Sequence, residues 1–177
     1  MSEKLSTHPL DPLTAQEIVQ AAEIISRDSG LNPSAWFETI TLEEPRSPVR
    51  NSDALQTKEP RRAYVCCYET SSNRTLNGVV NLDEDRIESW QHVEGAQARI
   101  VPEEFTAGDA LVKQDPRFIE ALKKRGITDL DTVLVETWAA GNFNSADEQG
   151  ERIAYCHCWV INDAGDNRYG RPIANLH

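Results

Sequence analysis

One pattern occurs twice along this chain: a capped helix signature runs into segments of strand character. Thr14 and Glu17 make T-x-x-E, a capping box in which the hydroxyl accepts an orphan amide proton and the carboxylate reaches back to the cap residue's own amide. Ile18, Ala21, Ala22 and Ile25 then recur at helical spacing, with Val19 and Ile24 widening the apolar stripe. Gly30 stands where such a helix stops, so the spacing predicts a helix over residues 14–29. Strand patterns follow. In "AWFETITLE" the alternation puts Trp36, Glu38, Ile40 and Leu42 on one face and Phe37, Thr39 and Thr41 on the other. A loop with Pro45, Pro48 and Pro60 intervenes, then come "RRAYVCCYE", "LNGVVNL" and "IESWQHV", joined by the turns "SSNRT" and "DEDR".

The pattern then restarts. "VPEEFTAGDALVKQ" is helical, with Phe105, Leu111 and Val112 as its apolar residues. Asp115 and Pro116 are an N-cap and a first helical residue. Phe118, Ile119 and Leu122 line the inner face of the helix they open, and Gly126 ends it. "TDLDTVLVETW" and "RIAYCHCWVI" are strands separated by a long acidic loop, "AAGNFNSADEQGE". Helices followed by meandering strands predict an α+β chain of two consecutive cystatin-like units, residues 1–98 and 99–177. Each is expected to pack its helix or helices on a curved antiparallel sheet. The first unit has about four strands. The second has only two, which is marginal for a sheet, so it reads as lacking its last strands.

Charge and composition remove several classes of function. The net charge is −11, from 18 basic and 29 acidic residues, so a phosphate backbone would be repelled and no nucleic-acid partner is expected. Lys123-Lys124-Arg125 is best read as a cationic helix end beside the negative pole of its dipole. No apolar run approaches the ~18 residues of a membrane span. The N-terminus "MSEKLSTHPL" lacks an apolar signal core, so the expected location is the cytoplasm. The sequon Asn73-Arg74-Thr75 is read as a turn.

The four cysteines form two close pairs. Cys66 and Cys67 point to opposite faces of their strand and cannot easily bond each other. Cys156 and Cys158 share a face that His157 does not, a poor geometry for one metal, so the thiols are read as buried and reduced.

Four segments carry a resemblance. "HPLDPLTAQEI" resembles the opening of the second N-terminal domain of copper amine oxidases. "RFIEALKKRGI", "VLVETWAAGNF" and "RYGRPIANLH" resemble parts of their third N-terminal domain. They occur in the family's order and span nearly the whole chain. The resemblance implies a family that oxidises primary amines to aldehydes, with ammonia and hydrogen peroxide as co-products. Its members are homodimers, with copper and topaquinone in a large C-terminal domain.

The residues of that chemistry do not occur here. No Asn directly precedes a Tyr, and His8, His92, His157 and His177 include no His-x-His. The resemblance therefore implies two flanking, non-catalytic domains with no cofactor of their own, inactive alone. Their expected partner is a catalytic domain on the same or a separate chain. In the family the Arg-Pro-Ile segment leads into a further hairpin, which again implies an incomplete second unit with an exposed edge near residues 152–161 and uncovered apolar surface.

The third domain of the family helps to wall the funnel by which amines arrive. By position, Phe105, Trp138 and Tyr169 are the candidates for that wall, since aromatic faces attract organic ammonium ions and an acidic surface steers cations. The structural alternative is that Trp138 is core and Tyr169 caps a turn. Two other readings stand beside the first: a stand-alone cystatin-like binding or scaffold module, and a thiol or metal protein built on Cys156, His157 and Cys158.

Overall fold

The computed structural model describes residues 8–45, 59–141, 150–163 and 165–176. Pro48, most of the acidic loop and His177 lie outside the described residues. The chain divides into two compact units, residues 1–98 and 99–177.

The first unit holds α1 (Ala15–Asp28) and four strands: β1 (Trp36–Glu43), β2 (Arg62–Glu69), β3 (Arg74–Asn81) and β4 (Arg86–His92). The strands form one antiparallel sheet in the order β1-β2-β3-β4. The capping box is present: Glu17 N–H donates to Thr14 Oγ1 at 3.2 Å, and Thr14 N–H donates to Glu17 Oε2 at 2.7 Å. Beyond the C-cap, Ser29, the chain turns at Gly30 with φ +72°, a left-handed conformation that suits a residue without Cβ. The helix buries Ala21, Ile24 and Ile25 against Ala63, Val65, Cys67 and Val80. Each isoleucine so buried contributes about 2 kcal/mol.

Glu17 has a second task. Arg61 donates to its Oε1 at 2.8 Å and also to the carbonyls of Pro9, Asp11 and Pro12. One guanidinium thus ties the segment before the helix to the start of β2.

The regular alternation expected in β1 breaks. Phe37 pairs with Cys67 and Thr39 with Cys66, which leaves Glu38 as the extra residue of a β-bulge. The bulge brings Phe37 and Ile40 onto the helix side together, while Trp36 packs with Cys66 and Tyr68 on the other face. A strict period of two, which placed Trp36 with Ile40, cannot survive an inserted residue. The opposite directions expected for Cys66 and Cys67 do occur, and none of the four cysteines is in a disulfide bond. On the outer face the chain returns over the sheet: Val93 N–H donates to Thr75 O, and Ala98 N–H donates to Thr75 Oγ1.

The second unit holds α2 (Pro102–Gln114), α3 (Pro116–Lys123), a short 3-10 turn (Leu130–Thr132), and the antiparallel pair β5 (Val133–Ala139) and β6 (Ala154–Val160). Asp115 accepts the Arg117 N–H at 2.8 Å and Pro116 opens α3, as the sequence implies. Leu122 is fully buried among Val133, Val135, Cys158 and Ile173, with Phe118 packed beside them. No residue of α2 is fully buried; the helix lies against β5. Asp109 Oδ1 accepts the Val135 N–H at 3.2 Å, and the Thr137 hydroxyl donates to Glu104 O.

Ahead of β6, Arg152 forks onto both oxygens of Glu104 at 2.6 Å and reaches Arg99 O. The far edge of β6 is partly paired. Val160 N–H donates to Arg171 O, Ile173 N–H donates to Cys158 O, and Trp159 bridges Pro172. Arg125, just past α3, holds the next carbonyls, Ala174 O and Asn175 O.

Candidate functional site

Two faces of the β5–β6 pair differ in kind. Val133, Val135, Thr137 and Cys158 face the helices and are buried, with Cys156 half-buried beside them. The opposite face carries Leu134, Glu136 and Trp138 from β5, and Tyr155, His157 and Trp159 from β6. The register sets Leu134 across from Trp159, Glu136 across from His157, and Trp138 across from Tyr155. Glu136 is the central position of this array. Tyr169, from the turn after β6, packs edge-on against Trp159 with ring centroids 5.3 Å apart.

The rings interlock. His157 lies 4.6 Å from Tyr155, 5.6 Å from Trp159 and 6.1 Å from Trp138, centroid to centroid. These are the offset and edge-to-face arrangements that aromatic quadrupoles prefer. The face is nonetheless open: Trp138 and Tyr169 are each 55% exposed and Tyr155 38%.

Glu136 orders two of the rings. The Tyr169 hydroxyl donates to its Oε1 at 2.8 Å, and the Trp138 indole N–H makes a long 3.4 Å contact to its Oε2. The hydrogen bond and the carboxylate charge raise the Tyr169 pKa above its ordinary value, so the phenol keeps its proton and remains a donor.

Of the three candidate wall residues, the fold brings Trp138 and Tyr169 together through Glu136. Phe105 lies on α2, which packs against the other face of the sheet, and is 43% exposed. Trp138 is not core. Tyr169 does sit in a turn, with its N–H on Asn167 Oδ1. Glu136, Tyr155, His157 and Trp159 are additional members of the face. Their signal in the sequence is alternation alone: if Cys156 and Cys158 point inward, their neighbours point out.

The same alternation separates His157 from the two thiols, which removes the geometry for a shared Cys-His-Cys site. Burial pushes the Cys158 thiol up to about 11 and also raises Cys156. Among the described residues no group of three or more His, Cys, Asp or Glu converges to hold a metal ion. Among them, too, no helix is long and apolar enough to cross a membrane.

Comparisons with known proteins agree in direction. The family described as copper amine oxidase, N2 domain, matches residues 8–93, and copper amine oxidase, N3 domain, matches residues 103–177. A primary amine oxidase of Arthrobacter sp. (strain P1) is 32% identical over 172 residues, which is 96% of this chain and 26% of the relative. A peroxisomal copper-containing diamine oxidase of Nicotiana tabacum is 30% identical over 216 aligned positions, covering all of this chain and 27% of the relative. A copper-containing benzylamine oxidase from Hansenula polymorpha superposes with a TM-score of 0.69 at 20% identity, over 94% of this chain and 27% of its own, and so matches in fold. The chain thus spans about a quarter of the length of the curated relatives it matches. It belongs to the copper amine oxidase family and comprises that family's N2 and N3 domains.

Proposed function

We propose that this chain is the non-catalytic N-terminal region of a copper- and topaquinone-dependent primary-amine oxidase, and that it has no oxidase activity alone. The parent reaction would convert a primary amine to an aldehyde, ammonia and hydrogen peroxide. The observation that carries the reading is the consecutive match of the N2 and N3 families along one chain, in relatives named for oxidising amines.

The described residues do not fit copper or a quinone built from Tyr: no metal-capable side chains converge, and each tyrosine has another setting. Tyr64 and Tyr68 hydrogen-bond with Asn77 and Asn73, Tyr169 with Glu136, and Tyr155 packs on His157. In this reading both groups would belong to a catalytic domain on the same or a separate polypeptide. The N3 unit would contribute Trp138 and Tyr169 to the approach taken by the amine. Homodimeric assembly and a cytoplasmic location complete the proposal.

Mixing tests it. The 177-residue chain with copper and benzylamine should yield no peroxide above buffer. Added to a matured catalytic domain made separately, it should raise amine-dependent peroxide formation. Peroxide production by the chain alone, or a catalytic domain indifferent to its addition, would overturn the reading.

A further inference from the structure

Of the four cysteines, only Cys156 and Cys158 are neighbours on one face of one strand. The register there is unbroken, with Thr137 across from Cys156, Glu136 from His157 and Val135 from Cys158. Residues two apart on a regular strand are about 6.7 Å apart. A disulfide needs its Cβ atoms about 4 Å apart, so these two sulfurs cannot bond directly unless the backbone moves. Leaning toward each other along the strand, they come within about 3.5 Å. That gap is too wide for an S–S bond of about 2 Å, and it suits a single atom bonded to both sulfurs. Cys158 already leans this way: its Sγ lies 3.7 Å from Cys156 O.

We propose that Cys156 and Cys158 form a dithiol site for a trivalent organoarsenical, with one arsenic atom bridging the two sulfurs. An organic arsine oxide takes up two thiols. Both S–H bonds and the arsenic–oxygen bond break, two As–S bonds form, and one water leaves carrying the two thiol protons. Arsenic stays trivalent and no electron is transferred. Because the protons leave on oxygen, the reaction does not draw on a preformed thiolate, which burial disfavours at both sulfurs. Two sulfurs complete the valence of an arsenic that already carries one carbon, so the site needs no third protein donor. Cys156 is half-buried and gives entry, while Cys158, 4% exposed, stands beside it within the core. Val112 and Val160 are partly buried members of the same cluster, so an aryl group carried in on the arsenic meets apolar neighbours. Cys66 and Cys67 point to opposite faces of β2 and offer no such bridge.

The test uses the whole chain, reduced, with phenylarsine oxide as the probe. Mass spectrometry of the intact protein should show one phenylarsenic group per chain, and tryptic peptide 153–168, which holds both cysteines, should carry it. Iodoacetamide labelling of Cys156 should slow at least about tenfold in the adduct. 2,3-Dimercaptopropanol should strip the arsenic at a concentration at least about a hundredfold lower than 2-mercaptoethanol needs, since only a second dithiol matches the two-point hold. Cys156→Ser leaves a single sulfur and should weaken retention by at least about a hundredfold, whereas Cys66→Ala should retain the probe as the native chain does. Four results overturn the proposal: no adduct, an adduct mapped to Cys66 or Cys67, release by the monothiol as readily as by the dithiol, or undiminished retention by C156S. The mapping and the thiol competition are read on the native chain, so they decide the matter even if a variant folds poorly.

Discussion

Substituting Gly108 by alanine would ordinarily stabilise a helix, by about 1 kcal/mol from intrinsic propensity. Here it should do the reverse. Gly108 is where α2 meets β5: a Cβ built there would run into Thr137 Cγ2 and lie 3.3 Å from both Cβ and Oγ1 of the same residue. Thr137 is buried, β-branched and hydrogen-bonded to Glu104 O, so it has no open rotamer to retreat to. The helix must lift by roughly 1 Å to restore contact distance. Overpacking of this kind costs about 1–3 kcal/mol. Lifting also stretches the Val135–Asp109 and Thr137–Glu104 hydrogen bonds, each worth about 1 kcal/mol.

Set against the propensity gain, the net loss is about 2 kcal/mol. Hydrogen exchange of the slowest β5 and β6 amides reads this unit alone, and that loss corresponds to exchange about thirty-fold faster. Adding Thr137→Ser removes the colliding methyl and should restore more than half of it. Slower exchange in G108A, or exchange in G108A/T137S as fast as in G108A, would refute the collision as the cause.

Ser72, Arg74 and the Asn32 N–H hold the buried Glu69 carboxyl down at about 2, below its ordinary 4.5. A depressed folded-state pKa stabilises above the unfolded value and is lost as pH falls, so acid should weaken the first unit between about pH 4.5 and 2. Glu69→Gln should flatten that limb of a stability–pH curve; an unchanged curve would count against the assignment. Arg61→Ala leaves Glu17 half-buried without its partner and frees three carbonyls. It should cost about 2–4 kcal/mol in denaturant unfolding of the first unit. Arg61→Lys should recover less than half, because an ammonium lacks the fork. Burial pushes the Cys67 thiol up to about 12, and Cys66 and Cys158 are also buried, so iodoacetamide at about pH 8 should label half-buried Cys156 first. Peptide mass spectrometry showing prompt labelling of Cys67 in the folded protein would contradict this.

The helices were legible because their ends are chemical. Thr14 with Glu17, and Asp115 with Pro116, are local signals that need no tertiary partner. The β1 bulge was not legible, since one unpaired residue is decided by how Phe37 and Ile40 both reach α1 rather than by β1's own residues. Trp138 and Tyr169 were candidates by position, through the resemblance to the family's third domain, but their meeting at Glu136 depends on the β5–β6 register and on the path of the following turn. Neither is written in either strand. Phe105 stands apart from these two: it lies on α2, which packs against β5 on the side away from Glu136.

Thr75 receives both ends of the return segment, Val93 on its carbonyl and Ala98 on its hydroxyl. In mechanical terms this fixes where load enters. Tension on the junction that follows Ala98 is delivered to β3, an interior strand paired on both sides, rather than peeling the edge strand β4 from its end. Shearing a doubly paired strand engages many ladder bonds at once, whereas peeling breaks them one by one. Thr75→Val would leave the sheet's pairing intact yet move the point of attachment to the edge, turning a shear joint into a zipper.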